Sequence, residues 1–261
     1  MALVASYRGK RILLTGDTGF KGSWLATWLL HYGADVIGFA LPPTASTDNY
    51  VVSGLATRYE HIDGDVRDHA RLARLIAERQ PEIVFHLAAQ SLVLEGYAAP
   101  RETFDTNIMG TINVLDAART SASVRAVIVV SSDKCYAGHH EVAAYRETDP
   151  MGGLDPYSAS KGAAELAVAA MRHSYFRGES TAAVATARAG NVIGGGDWAK
   201  HRIVPDSIRA LRDGVPITVR NPLAVRPWQH VLDALHGYLV LGARLLTDRD
   251  RFASGWNFGP T

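Results

Sequence analysis

A doubly wound α/β fold, in which helices cover both faces of a parallel sheet and a smaller C-terminal lobe follows, is predicted by three observations. Short apolar, β-branched runs alternate with helix-like segments. Those runs are apolar throughout rather than at every second residue. After about Gly190 the alternation gives way to chain rich in glycine and proline. Strands apolar on both sides belong to a sheet buried on both faces, and strand-helix alternation makes such a sheet parallel.

The strands are expected over 11–15, 35–41, 83–88, 126–131 and 181–187, with a half-polar candidate over 59–65. Helices are expected over 21–32, 68–78, 102–120 and 156–176. This divides the chain into a main α/β domain over 1–190 and a lobe over 191–261 that closes over the sheet's carboxyl edge, with segments returning to the sheet. The end, Trp256-Asn-Phe-Gly-Pro-Thr261, reads as a strand entering a turn, the pattern of a lobe cut short.

With 261 residues, 47% of them apolar, the chain can bury a large core. A formal net charge of +1 without long charged runs disfavours nucleic-acid binding by bulk electrostatics. Cys135 is the single cysteine, which excludes an internal disulfide and a cysteine-rich zinc site. No apolar run is long enough to span a bilayer and no signal-peptide pattern opens the chain, so a cytoplasmic protein is expected. His139-His140 has no acidic or cysteine spacing around it and makes a poor metal site, and no metal is expected.

The first strand runs into Gly16-Asp-Thr-Gly19-Phe-Lys-Gly22 and then a helix. Glycines at this spacing allow a tight turn, close backbone approach to a pyrophosphate and close helix-strand packing. The helix N-terminus would face the phosphates with free N–H groups. The second strand ends Gly38-Phe-Ala-Leu-Pro42, lacking both an acid for a ribose 2′-hydroxyl and an arginine for a 2′-phosphate, which weighs toward NAD. Asp65 stands where it can reach an adenine or, with Asp68, cap a helix.

Asp155-Pro156-Tyr157-Ser-Ala-Ser-Lys161 opens a helix, with Asp155 as cap and Pro156 in the first turn. Tyr157 and Lys161 share a face, where the ammonium would lower the phenol's pKa and prepare it as a base. That pattern alone is weak. It gains weight from Ser132, which ends the strand before the helix and is followed by Asp133-Lys134.

Glycine loop, strand-end serine and Tyr-x-x-x-Lys together resemble the short-chain dehydrogenase/reductase superfamily, with its Rossmann fold. Longer stretches resemble its extended branch, the CDP-glucose 4,6-dehydratases. These are Gly19-Phe-Lys-Gly-Ser-Trp-Leu25, Gln80-Pro-Glu-Ile-Val-Phe-His-Leu-Ala-Ala-Gln90, Ser132-Asp-Lys-Cys-Tyr136, Gly152-Gly-Leu-Asp-Pro-Tyr157, Arg188-Ala-Gly-Asn-Val-Ile-Gly-Gly-Gly-Asp-Trp198 and Arg226-Pro-Trp-Gln-His230. The resemblance implies an NAD-dependent hydro-lyase that oxidises a nucleotide-sugar at C4, eliminates water across C5 and C6, and returns hydride to C6. It assigns the C4 base to Tyr157 tuned by Lys161, the C5 base to Lys134 and the C6 acid to Asp133, with Ser132 orienting the tyrosine and a sugar hydroxyl.

Cofactor contacts are then expected from Gly16, Thr18, Gly19, Phe20, Lys21, Gly22, Asp65, Val66, Leu87, Ala88, Ala89, Tyr157 and Lys161. Substrate contacts are expected from Gln90, Asn191, Gln229 and three arginines, Arg202, Arg220 and Arg226, whose forks match a diphosphate. Trp198 and Trp228 are further candidates for the nucleotide pocket, His86 reads as a core histidine and Cys135 as a small buried side chain. Relatives pair the helices matching 102–120 and 156–176 into a four-helix bundle, so a homodimer or larger homo-oligomer is expected.

The chain departs from the family at Ser91 and Leu94, where proline and arginine are usual, and at Asp17, which sets negative charge close to the pyrophosphate. A 4-epimerase or related oxidoreductase, and a non-catalytic NAD-binding sensor, are the alternative readings.

Overall fold

Leu13 and Leu14 point to opposite faces of the first strand, yet both are buried. Only a sheet covered on both sides allows this. The structure, a computed structural model, describes residues 2–138, 144–178 and 181–260; His139 and His140 lie outside the described residues.

The chain runs α1 (Ala2–Tyr7), β1 (Arg11–Thr15), α2 (Phe20–His31), β2 (Asp35–Ala40), α3 (Asn49–Val52), β3 (Glu60–Asp63), α4 (His69–Arg79) and β4 (Ile83–His86). Then come α5 (Val93–Ala98), α6 (Pro100–Phe104), α7 (Gly110–Arg119), β5 (Ala126–Ser132), α8 (Pro156–Tyr175) and β6 (Ala183–Ala189). The last part holds β7 (Val192–Ile193), α9 (Ile203–Arg212), β8 (Gln229–His230), α10 (Val231–Thr247), α11 (Arg249–Phe252) and β9 (Gly255–Phe258).

Seven strands form one sheet in the order β3-β2-β1-β4-β5-β6-β9, every neighbouring pair parallel. One face packs on α1, α2 and α10 through residues such as Tyr7, Leu25, Leu29, Leu235 and Tyr238. The other packs on α4, α7 and α8 through Leu72, Ile76, Val114, Leu115 and Val168. Strand order reverses between β1 and β4, which opens a crevice at their carboxyl ends, where ligands bind in such sheets.

Two details differ from the pattern read in the sequence. The expected helix over 102–120 is interrupted by a π-helical turn, Asp105–Met109, between α6 and α7. β6 lies two residues later than expected, because Arg188 and Ala189 continue the ladder opposite Ser131 and Ser132. Beyond β8, α10 and β9 pack back onto the main sheet, β9 pairing with β6.

Phe85 in β4 is fully buried and its ring lies 6.2 Å from that of Tyr7. Phe85→Ala is expected to lower unfolding free energy by about 3–5 kcal/mol, read as a fall in the urea midpoint at constant m-value.

Candidate active site

The glycine loop forms where β1 leaves the sheet. Gly16 adopts φ 76° and donates its N–H to Phe39 at 3.0 Å. A methyl there would lie 2.6 Å from the Ala88 nitrogen, so only glycine permits the loop to sit this close to the end of β4. At Gly19, by contrast, an added carbon would meet only the Gly16 carbonyl, at 3.3 Å, and open space elsewhere. Gly19 caps α2 without any side-chain hydrogen bond, which leaves the first-turn N–H groups of Phe20, Lys21 and Gly22 for an anion. This cradle fits a pyrophosphate.

The other expected cofactor residues surround it. Thr18 donates to the Leu41 carbonyl at 2.9 Å, and Phe20 packs on the core. Leu87 and Ala88 are tied to Thr15 at 3.0 and 3.3 Å, with Ala89 half-buried beside them. Val66 is buried against Gly110. Asp65 is gripped by the Arg67 guanidinium, which holds its carboxyl below the usual range, while Asp68 alone caps α4.

Asp17 does not press its charge on the cradle. Its side chain is fully buried toward β2 and β3, where Tyr59 donates to Oδ2 at 2.8 Å and His61 Nδ1 lies 2.7 Å away. Gly38 makes room for it, since a carbon there would lie 2.1 Å from Oδ2. The correction to the sequence reading follows from these partners, which draw the carboxylate away from the loop.

At the end of β5, Ser132 donates to Asp133 Oδ1 at 3.0 Å and accepts from the Lys134 N–H at 3.3 Å, and residues Asp133–Cys135 make one 3₁₀ turn. Lys134 Nζ sits 3.5 Å from both Asp133 Oδ1 and Asn191 Oδ1. Asp133 and Lys134 are half-buried, with side-chain exposures of 25% and 32%, and the Asp133 carboxylate is near enough to Tyr157 for its charge to act on the phenol. α8 starts at its Asp155 cap, which accepts from the Ser158 N–H at 3.0 Å. It presses on the turn so closely that a carbon on Gly162 would lie 3.0 Å from the Cys135 carbonyl. Tyr157 and Lys161 are thereby brought to Ser132.

Burial pushes the Tyr157 phenol up to about 12; hydrogen bonding by Ser132 and the positive charge of Arg202 work against it, and the carboxylates of Asp133 and Asp155 with it. The expected lowering by Lys161 is not what sets this phenol. Burial instead lowers Lys161 itself to about 8 against the opposing charge of Glu165, and its ammonium donates to the Val130 carbonyl at 3.3 Å. Lys21, donating to the Tyr238 hydroxyl at 3.3 Å, is also lowered to about 8, by burial and then by the charges of Arg202, Lys161 and Lys134. Burial pushes the Cys135 thiol up to about 12, which removes it as a nucleophile. His86 is buried between Thr15 and Thr111 and lowered to about 3 by burial and by Lys161.

Of the expected substrate residues, Asn191 and Arg202 reach the cleft. Arg202 is held by Asp197 at 2.9 Å and by Ser91, one of the unusual residues, at 3.3 Å. Leu94 is exposed. Gln90 spends its side chain on Thr103 and the Leu92 N–H, at 2.9 and 2.6 Å. Gln229 is buried and donates to the Phe258 carbonyl, holding β8 to the chain's end rather than lining a pocket. Arg220 donates to the His201 carbonyl and Arg226 to that of Val225, and both are exposed. Trp198 and Trp228 are partly exposed. Among the described residues no group of three or more His, Cys, Asp or Glu side chains is placed to hold a metal.

Three positioning residues escaped the sequence reading. Asn107, in the π-helical turn, brackets Gln90 through both of its backbone groups and donates to Ser160 at 2.8 Å, which in turn donates to the Tyr157 carbonyl. Glu165 and Arg188 form a buried ion pair at 2.8 Å that also holds the Tyr136 hydroxyl. An asparagine inside a helical pattern, where it is a poor helix former, was the available signal for the first; the pair had none.

The Asp17 carboxylate raises the His61 pKa through its hydrogen bond, against the cost of burial. Stability from this contact is fully present below the unfolded histidine value and is lost as pH rises through the higher folded one. His61→Gln is expected to remove this contact's share of that loss, so that stability measured by chemical denaturation falls less steeply as pH rises above the unfolded histidine value.

The family model described as "NAD dependent epimerase/dehydratase family" matches residues 12–250. A CDP-glucose 4,6-dehydratase of Salmonella typhimurium is 48% identical over 258 residues, which cover 97% of this chain and 72% of that protein. Among solved structures, DesIV of Streptomyces venezuelae, a dTDP-glucose 4,6-dehydratase with NAD and TYD bound, superposes with a TM-score of 0.81 at 28% identity over 95% of this chain and 75% of its own. The epimerase Mth375 of Methanothermobacter thermautotrophicus gives 0.83 at 26% identity over 99% and 74%. With a glycine cradle, a Ser-Tyr-Lys site and a matching family model along nearly its whole length, the chain belongs to the NAD dependent epimerase/dehydratase family.

Proposed function

We propose that the chain is a nucleotide-sugar 4,6-dehydratase that converts CDP-glucose to CDP-4-keto-6-deoxyglucose. The observation that carries this reading is the half-buried Asp133–Lys134 pair, held in the turn after β5 with the Asp133 charge acting on Tyr157. An epimerase needs only the Ser-Tyr-Lys set; an acid and a base standing next to it suit an elimination. The 48% identity to a CDP-glucose 4,6-dehydratase supports the nucleotide and the sugar.

Gly16, Gly19, Gly22 and the first turn of α2 would hold the NAD pyrophosphate. Bound there, NAD supplies the hydride acceptor for C4 and the hydride donor for C6. The chain's residues do the rest. Tyr157 accepts the proton of the C4 hydroxyl. The C4 ketone then acidifies C5–H, and Lys134 removes that proton. Its electron pair forms the C5–C6 double bond as the C6–O bond breaks, with Asp133 protonating the leaving oxygen to give water. Lys134 returns a proton to C5 when C6 is reduced. Arg202 and Asn191 would contact the substrate's diphosphate and sugar.

The π-helical turn before α7, and α8, leave Met109, Leu166 and Tyr175 exposed, and a groove between α7 and α8 is lined by Ile112, Ala167 and Met171. A second copy packing there, in a cytoplasmic homodimer, suits this face. No helix among the described residues is long and apolar enough to cross a membrane.

CDP-glucose deuterated at C4 is expected to give product carrying deuterium at C6 without net reduced cofactor; deuterium retained at C4 would instead mark an epimerase. Tyr157→Phe is expected to lower kcat by about 10²–10⁴-fold. Lys134→Met is expected to lower it by a similar factor while reduced cofactor and the 4-keto hexose accumulate, because the oxidation precedes the lost step.

A further inference from the structure

NAD is told from its 2′-phosphorylated form at the ribose beside the adenine, and the usual reader is an acid at the carboxyl end of β2. Here β2 ends at Ala40, and neither Ala40 nor the Leu41 and Pro42 that follow carries a polar side-chain atom. The glycine cradle thus stands next to a strand end that cannot read a hydroxyl.

The neighbouring strand supplies what β2 lacks. β3 pairs with β2 in parallel, with Gly38 opposite His61 and Ala40 opposite Asp63, and the Gly64 N–H continues the ladder to the Ala40 carbonyl at 2.8 Å. Residues in register, and residues two apart along a strand, point to one face. Ala40, His61 and Asp63 therefore share the face on which the Asp17 carboxyl group lies over Gly38. Asp63 stands one strand away from the missing acid, on the same face and at the same level of the sheet's carboxyl edge.

A line of contacts holds Asp63 there. His61 Nε2 lies 3.2 Å from Asp63 Oδ1, and its Nδ1 lies 2.7 Å from Asp17 Oδ2, to which Tyr59 also donates. Asp17 is fully buried and belongs to the glycine loop, so the line Asp17–His61–Asp63 ties the pyrophosphate cradle to the end of β3. Of the three acids at this corner, Asp17 is closed off and Asp65 is spent on the Arg67 guanidinium. Asp63 has a side chain 65% exposed, and no hydrogen bond from the described residues engages its Oδ2.

We propose that Asp63 accepts a hydrogen bond from the 2′-hydroxyl of the adenosine ribose and is the residue that selects NAD over its 2′-phosphorylated form. His61, and Asp17 through it, are its positioning residues. A hydroxyl has a proton to give to Oδ2. A phosphate would instead bring negative charge and acceptor oxygens against three acidic side chains, with Arg67 already engaged by Asp65. Asp63 acts in this way whichever sugar reaction the site performs.

The test is calorimetric titration of the full chain, freed of nucleotide, with NAD, NADP and 2′-deoxy-NAD, which lacks only the adenosine 2′-hydroxyl. The unaltered protein is expected to bind NAD about 10–100-fold more tightly than 2′-deoxy-NAD, the effect of a hydrogen bond to a charged group, and to bind NADP more weakly than NAD. Asp63→Ala is expected to lower affinity for NAD by that same factor, to leave affinity for 2′-deoxy-NAD unchanged, and to raise affinity for NADP. His61→Gln is expected to shrink the preference for NAD over 2′-deoxy-NAD without abolishing it. A merely structural role for Asp63 would weaken both ligands alike and leave that preference intact, which would overturn the assignment. Equal binding of NAD and 2′-deoxy-NAD by the unaltered protein would overturn it as well, and that comparison needs no variant to fold.

Discussion

The close approach of α8 to the turn after β5 is the constraint on which the site depends. Gly162 allows it, since any side chain there would run into the Gly152 and Cys135 carbonyls. With α8 at this distance, the phenol on its first turn reaches the serine that ends β5. The Glu165–Arg188 pair secures the same junction from below, joining α8 to β6, and through the Tyr136 hydroxyl it also ties down the chain two residues beyond Lys134. Asn257 accepts from that hydroxyl at 2.6 Å, so β9 belongs to the same network. Removing one member of a buried pair of this kind typically costs about 3–5 kcal/mol, because the other charge is left without a partner.

The cleft is electrostatically crowded. Lys21, Lys134, Lys161 and Arg202 converge on it, against Asp133 and the more distant Glu165. Burial lowers Lys21 and Lys161 to about 8, which makes the charged forms costly until anions arrive. Two diphosphates, one from each nucleotide, would meet that excess of positive charge. Asp17, the one acid placed inside the glycine loop, is kept out of this field by Tyr59 and by His61 of β3.

Much of this was legible beforehand. The strands over 11–15 and 83–88 announced themselves by being apolar at every position, and the switch point follows from which of them come first. The glycine cradle, the Asp155 cap and the Tyr157–Lys161 spacing are local features whose geometry is dictated by residues a few positions apart. Misreadings arose where a side chain found an unforeseen distant partner. Asp17 looked like a charge beside a phosphate until Tyr59 and His61 were placed next to it, and Gln229 looked like a pocket residue until β9 returned alongside it.

The amino-acid order by itself determined the layered sheet, the dinucleotide cradle and the identity of the reactive groups, because helix and strand periods and turn residues act over short distances along the chain. The tertiary structure decided which of those groups work together. Ser132 and Tyr157 are separated by a long excursion of chain, and their meeting depends on the tight seating of α8 against the end of β5. The protonation of the phenol likewise belongs to the folded state, since it is burial, a property of the packed whole, that outweighs the neighbouring charges.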